Sequence, residues 1–134
     1  MTSRRGTVIE EGAREILQMH GYSVRIVPSG FDRRAPPGHL VATKAGETRF
    51  IRVRKISRLP ICPATIEYHC MQDVVLFRKY LAGHSGQAGL CCEIWTYTIS
   101  HGFRPFAVFT DSVCEIPKVA ARRLPSLPAT GGSA

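Results

Sequence analysis

Ile9, Ala13, Ile16, Leu17 and His20 recur at the three- and four-residue spacing of one helix face. Thr7 followed three residues later by Glu10 reads as a capping box, and Gly21 offers a left-handed stop. The pattern predicts a helix over about 8–20, preceded by a frayed arm at 1–6. Glu10 borders the apolar stripe of that helix, and Glu11 points away from it. The period then shortens to two. Residues 22–27 read as a strand broken by Pro28-Ser29-Gly30, and the Arg-, Pro- and Gly-rich stretch 29–38 reads as a loop. Two further strands, about 39–44 and 48–56, flank a turn at Ala45-Gly46-Glu47. In the second, Ile51 and Val53 face one side while Phe50, Arg52 and Arg54 face the other. Beyond Pro60 and Pro63, Ile66, Cys70, Val74, Phe77 and Leu81 form the core stripe of a helix over about 64–82. After a Gly-rich connection, 90–99 and 104–110 read as a hairpin around Ser100-His101-Gly102, with Trp95 as core packing. From Pro117 onward, prolines and low hydrophobicity predict an extended tail. The expectation is one domain over 1–116, a tail over 117–134, and the order α-β-β-β-α-β-β.

Charge changes this picture. The 134-residue chain has a formal net charge of +8. Between residues 25 and 58 stand nine basic side chains (Arg25, Arg33, Arg34, Lys44, Arg49, Arg52, Arg54, Lys55 and Arg58) against Asp32 and Glu47. A positive field focused in this way attracts phosphate backbones, and arginine can fork two hydrogen bonds onto one phosphate. The alternative is a solvated basic surface. No apolar run reaches the roughly 18 residues of a membrane span. No secretory signal opens the chain, which points to the cytoplasm. The five cysteines lack the paired spacing of a zinc site, so they are expected to be reduced and mostly buried.

Several short motifs stand in a telling order. Glu10 lies eleven residues ahead of Gly21-Tyr22; the next strand runs into Val27-Pro28-Ser29-Gly30; His39 opens the second strand; and the third reads Phe50-Ile51-Arg52-Val53-Arg54-Lys55. This arrangement resembles the PD-(D/E)XK nuclease superfamily, and within it the archaeal Holliday-junction resolvases. The resemblance spans about residues 6–110. It implies an α/β fold with a restriction-endonuclease-like core, a mixed sheet flanked by helices, and a Mg²⁺-dependent endonuclease acting as a homodimer.

The departures from the family bear on its chemistry. There, two carboxylates hold Mg²⁺ and a lysine serves the attacking water. Here His39 stands where the resemblance implies Asp, Arg52 where it implies Glu, and Arg54 where it implies Lys. Arginine offers only donors and a permanent positive charge, so Arg52 repels the cation that a carboxylate would hold. Of the implied set, Glu10 alone could be a ligand. Its other reading is a capping-box residue and salt-bridge partner.

The expected function is therefore a catalytically silent nuclease-like domain. It would bind structured or duplex DNA, rather than RNA, through Arg25, Ser29, Arg33, Arg34, Arg52, Arg54, Lys55 and Arg58, without a cofactor. The Arg52/Arg54 pair could instead be engaged in salt bridges, His39 could cap its strand, and Ser29 could stabilise a turn. Two alternative functions stay open: a scaffold receiving an acidic protein partner, and a metal-dependent nuclease with a relocated site that uses Glu10, Asp32 or another carboxylate.

Overall fold

A computed structural model describes residues 4–27, 38–56 and 61–116, in the order α1 (Arg4–Met19), β1 (Ser23–Ile26), β2 (Leu40–Lys44), β3 (Glu47–Lys55), α2 (Pro63–His69), α3 (Met71–Gly83), β4 (Leu90–Thr98), β5 (Gly102–Val108) and β6 (Val113–Glu115). The strands form one six-stranded sheet in chain order. Every neighbouring pair is antiparallel except β3–β4, which is parallel. Parallel neighbours require a crossover, and α2 and α3 supply it.

The alternation along β3 divides the core in two. Ile51 and Val53 pack with Ala13 and Leu17 of α1 and with Trp95 and Phe103. Phe50, on the opposite face, packs with Ile66, Val74 and Phe77 of α2 and α3. The helices thus lie on both faces, and the mixed sheet flanked by helices is as the resemblance implied. Two glycines are fixed by backbone geometry. Gly21, at φ 92°, ends α1 in the left-handed region. Gly38, at φ 100°, sits where a Cβ would meet the Ile51 carbonyl oxygen at 2.9 Å, so only glycine lets His39 enter β2 at this height. The β2–β3 hairpin closes on Ala45 and Gly46, both with positive φ, as a two-residue turn demands.

The elements differ from expectation in four places. The helix expected from residue 8 already begins at Arg4, so Thr7 lies within the helix rather than ahead of it. The helix expected over 64–82 is two, because Cys70 (φ −106°, ψ 31°) leaves helical geometry and caps both. A sixth strand, β6, pairs with β5 through Phe106–Val108. Of the five free cysteines, only Cys70 and Cys92 are buried; Cys62 and Cys91 are intermediate and Cys114 is exposed. Burial pushes the Cys92 thiol up to about 12, so it behaves as a small apolar group. The expected loop residues Ser29, Asp32, Arg33 and Arg34, together with Arg58 and the tail 117–134, lie outside the described residues.

Candidate functional site

The four positions singled out on α1, just ahead of β2 and on β3 converge with a fifth residue, Asp73 of α3. Its side chain is only 3% exposed and faces both guanidiniums of β3. Arg54 donates from Nε to Oδ2 at 2.6 Å and from Nη2 to Oδ1 at 2.8 Å, a bidentate fork. Arg52 Nε lies 2.8 Å from Oδ1 as an ion pair, but without the alignment of a hydrogen bond. The spacing of two residues brings both arginines to the same face of β3. Burial by itself would raise the Asp73 pKa. The Arg54 hydrogen bonds and the charges of Arg52 and Arg54 outweigh it, and the carboxyl stays below its ordinary range.

His39 occupies the strand-capping role. Its own N–H donates to the Ile51 carbonyl at 2.7 Å, and its Nδ1 accepts the Val53 N–H at 3.0 Å. An accepting Nδ1 leaves the neutral ring's proton on Nε2. Burial and the charges of Arg52 and Arg54 push its pKa down from 6.5 to about 4, against the opposing pull of Asp73. Glu10 Oε2 lies 3.6 Å from the same Nδ1. Burial raises the Glu10 pKa more than Arg52 lowers it. Among the described residues the ionisable partner nearest Glu10 is His39, and no direct ion pair joins Glu10 to an arginine. Glu11 is the α1 acid that pairs with an arginine, Arg14 at 3.0 Å.

The sign of the His39 shift fixes a pH dependence. Between pH 6.5 and about 4 the unfolded chain binds a proton that the folded chain refuses, so stability is full above pH 6.5 and falls as the pH drops through this window. The expected loss is on the order of 2 kcal/mol, after discounting for the ring's partial exposure. NMR titration of the His39 ring checks this: a midpoint below 5 is expected, and one above 6 contradicts it.

These residues do not fit a divalent cation. Asp73, the best-placed carboxylate, already binds two guanidiniums, and Mg²⁺ requires oxygen ligands that arginine cannot supply. Among the described residues no group of three or more His, Cys, Asp or Glu is placed to hold a metal ion.

Of the six described cations in the 25–58 run, three pair with internal carboxylates. Arg52 and Arg54 face Asp73, while Arg49 bridges Glu47 and the buried Glu93. Lys44 donates to the His20 carbonyl at 2.8 Å. Arg25 and Lys55 stand exposed on β1 and β3. The free positive field is therefore smaller than a count along the chain suggests.

Sequence reasoning missed Asp73 and Glu93. Each left a sign, as an acid inside an otherwise apolar pattern: Asp73 between Cys70 and Val74 on the core stripe of the helix, and Glu93 between Cys92 and Ile94 in β4.

With helices on both faces of a mixed sheet and these residues gathered around β3, the chain has a restriction-endonuclease-like fold. It is similar to the solved structure of Hjc, a Holliday junction resolvase from the archaeal hyperthermophile Archaeoglobus fulgidus, with a TM-score of 0.53 and 18% sequence identity over 89% of this chain and 91% of that one. No protein-family profile and no curated protein matches the sequence.

Proposed function

We propose that this chain is a nuclease-fold protein that binds duplex or branched DNA, in preference to RNA, and does not cut it. The observation that carries the reading is the pair of guanidiniums, Arg52 and Arg54, held by Asp73 at the positions where the resemblance implies a metal-bound carboxylate and a lysine. A fixed positive charge there attracts a phosphate while repelling the ion that phosphodiester cleavage in this fold would need. Arg25 and Lys55 add exposed cations, and Ser29, Arg33, Arg34 and Arg58 complete the proposed contact set. The similarity to a Holliday junction resolvase favours a branched substrate.

The cytoplasm is the proposed location. No helix among the described residues is long and apolar enough to cross a membrane. A homodimer is the proposed assembly. The exposed residues Tyr68, Met71, Val75 and Leu76 on the outer side of α2 and α3 give it an apolar surface to cover.

A mobility-shift titration of a labelled four-way junction and a matched duplex tests the reading. Neutralising roughly four phosphates gives a salt slope near −4, so raising salt from 50 to 200 mM weakens binding about a hundredfold. Failure to bind either DNA at low salt overturns it. Co-purification with an acidic protein, with no nucleic acid retained, would favour the scaffold reading.

A further inference from the structure

We infer that Asp73 is the positioning residue of a seat for a single nucleic-acid phosphate, holding Arg52 and Arg54 from behind so that their remaining N–H groups face outward. The inference rests on the DNA-binding reading and names the residue that organises its central contact.

Asp73 reaches β3 from the first turn of α3, and its carboxylate is sealed from solvent by the same helix that buries Val74 and Phe77. It engages Nε and Nη2 of Arg54 and the Nε side of Arg52. Neither Nη1 of Arg54 nor the terminal nitrogens of Arg52 make a hydrogen bond to another described residue. A guanidinium is a flat fork, so tying down one edge aims the other. The side chains of Arg52 and Arg54 are 26% and 41% exposed, and solvent reaches them although it does not reach Asp73. His39 adds a neutral donor beside them: with Nδ1 accepting from Val53, its Nε2 carries the proton. Two groups on β3 and one just ahead of β2 thus offer donors without a metal ion. Glu10, 3.6 Å from His39 Nδ1, is the opposing acid of the group.

The gain is one of preorganisation. A free arginine loses rotamer entropy when it grips a ligand. An arginine already clamped by a buried carboxylate has met most of that cost on folding. The competing possibility is that Asp73 merely quenches the pair as an internal counter-ion. Quenching by competition requires a carboxylate that an incoming phosphate can displace, and Asp73 lies behind the guanidiniums at 3% exposure.

The two roles predict opposite signs. Asp73→Asn keeps the shape and adds one positive charge to the protein; Asp73→Glu keeps the charge and shifts the clamp by one methylene. As a positioning residue, Asp73 makes both variants bind a labelled four-way junction about tenfold more weakly at low salt. As a mere counter-ion, it makes Asp73→Asn bind more tightly and leaves Asp73→Glu unchanged, and that result overturns the inference. Circular dichroism of each full-length variant establishes that it is folded. If Asp73→Asn does not fold, Arg54→Lys takes its place, keeping Asp73 and the charge but losing the fork: a severalfold loss supports the clamp and unchanged affinity overturns it.

Arg52→Gln separates this inference from the reading beneath it. Wild-type binding that Arg52→Gln leaves unaltered removes the phosphate seat while DNA binding stands. A wild-type protein that binds neither junction nor duplex removes both.

Discussion

Asp73→Ala lowers the free energy of unfolding by about 3 kcal/mol, read as a fall in urea midpoint with an unchanged slope. The cost arises because the substitution removes a buried carboxylate that faces two guanidiniums. Breaking a buried pair costs roughly 3–5 kcal/mol, and the lower end applies because both arginines keep contact with water and are partly screened. The sign against pH follows from the depressed Asp73 pKa. The stabilisation is present at neutral pH and is lost as the pH falls through the folded-state value, below the ordinary 3.8. The alanine variant lacks this acid-labile component. A variant as stable as wild type would mean that the arginines find water or other partners without loss.

Trp95→Ala costs about 4 kcal/mol in the same measurement, through the cavity it leaves. Trp95 is 1% exposed and meets Phe103 edge-on, with ring centroids 5.9 Å apart. Its Nε1 also donates to Glu93 Oε1 at 2.9 Å. Glu93 is itself 2% exposed, and burial raises its pKa against the opposing effects of Arg49 and the indole. The substitution therefore opens a void and removes one donor from a buried carboxylate, leaving Arg49 at 2.6 Å on the other oxygen. A loss below 1 kcal/mol would show that the α1-side core closes around the gap.

These two residues mark how far the sequence can be read. Trp95 was legible as core because a large apolar side chain in an alternating strand has few other places to go. The β2–β3 hairpin was legible because Ala45-Gly46 supplies the turn. Arg52 and Arg54 were correctly placed together on one face by their spacing alone. Asp73 was not legible as their partner. Periodicity assigns faces within an element, whereas the ion pair joins α3 to β3 across 19 residues of sequence. The same limit hid Glu93, whose partner Arg49 stands 44 residues away. It also explains why counting charges between 25 and 58 overstated the free positive field. The break at Cys70 was obscured because its neighbours Ile66 and Val74 continue one apolar stripe across it.

The short β6 carries too few residues for an alternation to register. Glu10 illustrates the opposite error. A capping-box pattern needs Thr7 outside the helix, whereas the helix begins at Arg4 and the Glu10 carboxyl lies 3.6 Å from His39 Nδ1.

The most direct test of the account incubates the protein with a labelled four-way junction at low salt, with and without Mg²⁺ or Mn²⁺, and resolves bound and cleaved DNA in parallel. The account predicts a shifted junction in every lane, weakened by added salt, with the strands intact whichever metal is present. Metal-dependent nicking would contradict it, because it would require a divalent-ion site that Arg52, Arg54 and Asp73 do not provide.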